Sequence, residues 1–143
     1  MNKWDVRFLQ MATFVSTWSK DPSTQVGAVI ADKDNRMVGL GYNGFPRGVA
    51  DDHRLQSREQ KYKLVIHAEE NAILNSTATT HGCTIFLTHP PCLHCSGMLK
   101  QAGISRVVFE EPTGAFKSRW NLDETLNYLK ELEIEAIGYR RSE

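Results

Sequence analysis

From Trp4 to Trp18 apolar residues (Trp4, Phe8, Leu9, Met11, Ala12, Val15) return at steps of three and four, the spacing of an amphipathic helix. That helix is expected to end near "SKDPS", because Pro22 disfavours helical backbone at Asp21. The pattern then changes. "QVGAVIADKDNRMVGLGYNG" reads as a hairpin, with strands over Val26 to Ala31 and Met37 to Tyr42 joined by a polar turn at "DKDN". Residues 43 to 64 hold two glycines, a proline and many charges with little periodicity, which predicts a long ordered loop passing into a helical piece. A helix should run from near His67 to about Asn75, followed by the short buried strand "CTIFLT". Another helix follows "PPCLHC" as far as Gly103, then the strand "RVVFE", a helix from Leu122 to Leu132 and a last strand, "EAIGY". Helices alternating with short apolar strands imply crossover connections and a largely parallel sheet, here extended by the hairpin. The expected fold is α/β: a three-layer αβα sandwich on a mixed sheet of five strands, with helices on both faces.

Composition narrows the function. The 143 residues suffice for one domain with a real core, and no repeat or linker divides them. Seventeen basic residues balance seventeen acidic ones, so the charge lacks the footprint of a general nucleic-acid binder and favours a small ligand. The amphipathic N-terminus is broken by charges and offers neither a signal-peptide core nor a membrane span, so a soluble, cytoplasmic protein is expected. Three cysteines are an odd number, and two of them sit in "PCLHC" at 91 to 95, a spacing that suits metal better than pairing.

The candidate chemistry lies in "VIHAEENAI" and "PCLHC". His67, Cys92 and Cys95 supply one imidazole and two thiolates, a donor set suited to zinc, with a fourth tetrahedral position left for water. An open position means catalysis. Cys92 and Cys95 fall on the first turn of their helix, where unpaired N–H groups and the dipole stabilise thiolates, and His67 starts its own helix. If the two helices lie side by side, both N-termini meet at one edge of the sheet, the usual ligand edge of an open α/β fold. Glu69, left unbound beside the metal, suits a proton shuttle. One residue is about a hundred degrees of helix rotation, so Glu70 should point instead to a solvated or interface surface. His53, His81, His89 and His94 form no convincing second metal set, and Cys83 begins a buried strand.

"HAE" at 67 to 69 followed by "PCLHC" resembles the signature of the zinc-dependent cytidine/deoxycytidylate deaminase superfamily. "SKDPSTQVGAVI" at 19 to 30 and "GYNGFPRGVADD" at 41 to 52 look like its deoxycytidylate (dCMP) branch, which extends the resemblance over nearly the whole chain. The resemblance implies hydrolysis of dCMP to dUMP and ammonia, feeding thymidylate synthesis. Water activated by zinc would attack C4 while Glu69 moves protons to N3 and to the departing amino group. The backbone at Ala68 and near Pro90 would read the base, and Asn43 the sugar. For the phosphate, Lys20, Ser23 and Thr24 are the first candidates, with Lys117 and Arg119 as a second set. Phe116 and Trp120 would stack on the base, close the pocket or serve the core; Trp4 and Trp18 suit core or subunit contacts.

Relatives of this kind are commonly hexamers activated by dCTP and inhibited by dTTP, with Mg2+ on the triphosphate at a subunit boundary. By that resemblance Gly44, Arg47, Gly48, Asp51, Glu59 and Lys63 are candidates for the effector site: glycines admit close backbone approach, the cations meet phosphate and the acids accept hydrogen bonds. Asn43 at substrate and Gly44 at effector would couple the two sites. No nucleic acid or membrane partner is expected, and a bacterium or a virus-infected cell is the expected setting. Two other readings stay open: deamination of a different cytosine or adenine substrate, including a base in nucleic acid, and a binding protein with structural zinc and no turnover.

Overall fold

A computed structural model of the chain describes residues 1–113 and 121–140. Helix α1 (Lys3–Ser16) precedes strands β1 (Gly27–Ala31) and β2 (Met37–Tyr42). After a single 3-10 turn at His53–Gln56 come α2 (Arg58–Leu64), α3 (Ala68–Leu74), β3 (Thr84–Leu87), α4 (Leu93–Gln101), β4 (Arg106–Glu110), α5 (Leu122–Glu131) and β5 (Glu135–Tyr139).

The five strands form one sheet in the order β2-β1-β3-β4-β5. β1 pairs antiparallel with both β2 and β3, whereas β3, β4 and β5 run parallel. The parallel part is therefore three strands, smaller than the alternation of helices and strands suggested. The reason is geometric: the segment between β2 and β3 crosses over β1, so β3 runs parallel to β2 but hydrogen-bonds to β1.

Strand alternation sends side chains to two cores. Val29, Ala31, Phe86 and Val108 meet Phe8, Leu9 and Ala12 of α1 on one face. Ala28, Ile30, Ile85, Leu87, Val107 and Phe109 meet Ala68, Ala72, Leu99 and Leu129 of α3, α4 and α5 on the other. Three layers result, as expected. Each of the larger apolar side chains fully withdrawn from water contributes about 1.5–3 kcal/mol, and all five residues of β1 are buried, as befits a central strand. Trp4 and Trp18 are 36% and 45% exposed and form no part of either core. Trp4 joins Met11 and Phe14 among the exposed residues of α1, and Trp18 follows just beyond its end.

One sheet edge gathers the ends that matter. Because β2 and β3 run together and β1 opposes them, the start of β1 and the C-terminal ends of β2 and β3 all emerge there, with Gly27 opposite Tyr42 and Ala28 opposite Leu87. Residues 21–26, Asn43 and 88–92 thus converge, which is the position a ligand takes in an open α/β sheet.

Candidate active site

His67 is the N-cap of α3 in extended backbone, and Cys92 is the N-cap of α4. Both caps face one point. Nδ1 of His67 lies 3.2 Å from Sγ of Cys95 and 3.8 Å from Sγ of Cys92. A tetrahedral zinc with ordinary Zn–N and Zn–S bonds would separate such donors by about 3.6 Å. The three donor atoms lie within 4.8 Å of one another, so the donor set fits the ion. Cys92 Sγ also accepts the backbone N–H of Cys95 at 3.3 Å, which uses one orphan donor of the helix start to hold a sulfur.

Charge is distributed unequally between the two thiols. Hydrogen bonding from Cys95, aided by His67, pulls the Cys92 thiol down to about 4. The same pairing with Cys92, together with burial, pushes the Cys95 thiol up. His67 is raised to about 9, chiefly by its hydrogen bond to the Cys92 sulfur. Glu69 is 5% exposed, and burial raises its carboxyl above the usual range. A carboxyl moved toward neutrality is suited to give and take a proton.

Glu70 is half-buried and also acts on its own helix start. Its carboxylate accepts the backbone N–H of His67 at 3.1 Å, so it fixes the residue that carries the imidazole. "HAEE" is the spacing of a capping box, N-cap to N3, and that signal was available in the sequence.

A cleft of about 280 Å³ opens above this centre. His67, Ala68, Glu69, Pro90 and Cys92 line its floor side, and Ser23, Thr24 and Asn43 line it as well. Asn43 is 8% exposed, and its amide is built into the wall: Oδ1 accepts Val26 N at 2.8 Å while Nδ2 donates to the Thr24 carbonyl at 3.0 Å. Lys20 is not part of the lining. Its side chain is 72% exposed and pairs with Asp51 at 3.3 Å. Lys117, Arg119, Phe116 and Trp120 lie outside the described residues. Among the cleft residues missed from sequence are Arg58, Lys61 and His89. No motif marks the first two, since a cation ten or thirteen residues after Gly48 reveals nothing of what it will face. Burial lowers the His89 imidazole below its ordinary range, and a hydrogen bond of 2.8 Å joins its Nδ1 to the Thr88 hydroxyl.

Gly44, Arg47, Gly48, Asp51, Glu59 and Lys63 are not in the cleft lining. Glu59 and Lys63 pair with each other at 3.6 Å on the outer side of α2. Gly48 takes φ 85°, a left-handed backbone that favours glycine. Arg47 donates to the Asn75 side chain at 3.2 Å. Among the described residues no helix is long and apolar enough to cross a membrane.

An open α/β sheet that presents a histidine and two cysteines from two helix starts, with a buried carboxylate beside them, defines the class: a protein with a donor set that could hold a metal ion at its ligand edge. Residues 2–111 match the cytidine and deoxycytidylate deaminase zinc-binding region, and the chain belongs to that family. Among its relatives is an uncharacterized deaminase in the luxG 3′ region of Aliivibrio fischeri, 52% identical over 84% of this chain and 81% of its own length. The human deoxycytidylate deaminase is 40% identical over 75% of this chain, and the match spans 64% of the human protein. The crystal structure of the dCMP deaminase from the cyanophage S-TIM5 in apo form superposes with a TM-score of 0.77 at 26% identity, over 97% of this chain and all of that one. The same phage enzyme in complex with dCMP and dUMP gives 0.81 at 24% identity, over 97% of this chain and 99% of that one, and shows the shared fold.

Proposed function

We propose that the chain catalyses zinc-dependent hydrolysis of dCMP to dUMP and ammonia. The observation that carries this reading is the buried Glu69 beside the His67, Cys92 and Cys95 donors at the floor of a cleft sized for a small ligand. The names of the human and phage relatives support the substrate. Zinc, when bound, supplies the Lewis acidity that makes water nucleophilic near neutral pH.

His67, Cys92 and Cys95 hold the ion, and the N–H of Cys95 and the carboxylate of Glu70 hold two of those ligands in place. Glu69 moves the protons. It delivers one to N3 of the pyrimidine as the water oxygen bonds to C4, and one to the amino group as the C4–N bond breaks. Water is consumed, ammonia leaves and the ring keeps a carbonyl. The Ala68 and Pro90 backbones flank this point and suit the polar edges of the base, while Asn43 suits the sugar and Ser23 and Thr24 the phosphate.

Regulation by dCTP and dTTP, with Mg2+ on the triphosphate, and assembly into a hexamer are part of the same proposal. Support comes from a backbone link. Gly44 N donates to Ile66 O at 3.1 Å and Ile66 N to Gly44 O at 2.8 Å, so the loop carrying Gly44, Arg47 and Gly48 is bonded to the residue preceding His67. A shift of that loop would reach the metal ligand directly. Asp51, Glu59 and Lys63 complete the proposed effector set. The sheet-edge site and the absence of excess basic charge favour a cytoplasmic enzyme of free nucleotides over one acting on nucleic acid.

Loss of cytosine absorbance by the zinc-loaded protein tests this, with dCMP, CMP, deoxycytidine and dCTP offered separately, each with and without dCTP or dTTP as effector. Turnover of dCMP, raised by dCTP and lowered by dTTP, is expected; Glu69→Gln should keep its zinc and lose at least about 100-fold in rate. No loss with any substrate while zinc is bound would refute the reading.

A further inference from the structure

Helix α2 brings two cations to the mouth of the cleft. Arg58, Lys61, Tyr62 and Val65 follow one another at helical spacing, and all four line the cleft beside Ser23 and Thr24. Lys61 is unusual for a lysine in being 8% exposed. Its ammonium donates to Asp21 Oδ1 at 3.1 Å and to Ser23 Oγ at 3.2 Å, two partners for three protons among the described residues.

Asp21 is heavily committed. Its Oδ1 also accepts the backbone N–H groups of Ser23 at 2.8 Å and Thr24 at 3.1 Å, and its Oδ2 accepts Asn43 Nδ2 at 3.4 Å. The carboxylate therefore pins the 23–24 turn and the lysine together, and it balances one positive charge. The second cation stays unbalanced. Arg58 is paired with no carboxylate among the described residues; its Nε donates to the Tyr62 hydroxyl at 3.0 Å and its guanidinium lies 5.4 Å from the centre of that ring. The ring holds the guanidinium while leaving it cationic. Glu69, the other acid of the lining, belongs to the metal end.

The mouth thus offers an excess of one positive charge, a planar guanidinium, a dry ammonium and the Ser23 and Thr24 hydroxyls. A phosphate monoester matches that set, whereas an uncharged nucleoside leaves it unanswered. We infer that Arg58 and Lys61 are the residues by which the cleft selects a 5′-phosphorylated nucleotide over the free nucleoside. This rests on the deaminase reading and gives it a source of substrate choice that Lys20, turned to Asp51, does not supply.

The test compares kcat/KM for dCMP, deoxycytidine and a cytosine-containing oligonucleotide, using the zinc-loaded full chain and its Arg58→Ala, Arg58→Lys and Lys61→Met variants. Arg58 is exposed, so its variants are expected to fold. Arg58→Ala should lower kcat/KM for dCMP by about 10–100-fold, mostly through KM, from the loss of charge-assisted hydrogen bonds. The loss on deoxycytidine should be much smaller, so the dCMP to deoxycytidine ratio falls about tenfold or more, and Arg58→Lys should restore part of it. Lys61→Met should lower the same ratio. An unchanged ratio in Arg58→Ala, or a parent enzyme that prefers the oligonucleotide or treats dCMP and deoxycytidine alike, overturns the assignment. A parent that deaminates none of them overturns the deaminase reading itself.

Discussion

At the scale of single residues, the ligand set carries an unequal load of protons before any metal arrives. Cys92, pulled down to about 4 by Cys95 and His67, is a thiolate at neutral pH. His67, raised to about 9 by the Cys92 sulfur, is an imidazolium, and Cys95, pushed up by Cys92 and by burial, is a thiol. Zinc takes imidazole and thiolate, so binding at neutral pH must expel one proton from His67 and one from Cys95. Both groups are protonated in the metal-free chain and bare in the loaded one, so acid favours loss of metal. The expected result is a zinc affinity that rises by about two powers of ten per pH unit between pH 6 and 8. Competition with a chromophoric chelator at several pH values measures it. A slope near three would mean that Cys92 is also protonated in the metal-free protein, against the pull of its neighbours.

At the scale of elements, placement of α3 depends on residues with no side chain. A Cβ built on Gly41 of β2 would stand 2.4 Å from the backbone N of Ala72 and 2.8 Å from the carbonyl of Ala68, so α3 rests directly on the strand. Asn71 and Asn75 then tie the helix to the strand's outer carbonyls, at Tyr42 O and Leu40 O. Gly41→Ala must push α3 outward, and with it His67 and Glu69. It should cost about 1–3 kcal/mol in a urea melt and weaken zinc binding as well; stability lost with affinity intact would show that α3 moves without its first turn. The periodicities exposed the helices and strands because burial of one face leaves its mark on each segment. They did not expose the antiparallel contact of β1 with β3, since a buried strand looks alike beside any partner. The metal donors and Glu69 were legible because their chemistry needs particular residue types at helix starts. Lys61 and Arg58 were not, because their use depends on α2 meeting the 21–24 turn some forty residues away in the chain. The capping role of Glu70 was missed, because helix rotation alone says nothing of a side chain that turns back to its own helix start.

At the scale of the whole molecule, α1 is the sole helix on its face of the sheet among the described residues, and one ion pair fastens its first turn. Asp5 is 2% exposed, and both its oxygens accept from the guanidinium of Arg106, Nη1 donating to Oδ1 at 3.0 Å and Nη2 to Oδ2. Arg106 begins β4, so the pair sits at the sheet edge opposite the metal centre, which lies where β2 and β3 end. Removing Arg106 strands the Asp5 charge in a dry place, whereas removing both leaves only a packing change. Arg106→Ala should therefore destabilise the fold by about 3–5 kcal/mol in urea, whereas Asp5→Ala, which leaves a partly exposed Arg106 still 3.9 Å from Glu135, should cost less. The double variant Asp5→Leu with Arg106→Leu should recover most of the Arg106→Ala loss. These variants, assayed below their melting points, should retain the zinc stoichiometry of the parent, because α3 and α4 pack on the other face of the sheet. A double variant as unstable as Arg106→Ala would mean that the pair contributes attraction beyond the cost of burying it, and that the docking of α1 depends on charge rather than on Phe8, Leu9 and Ala12.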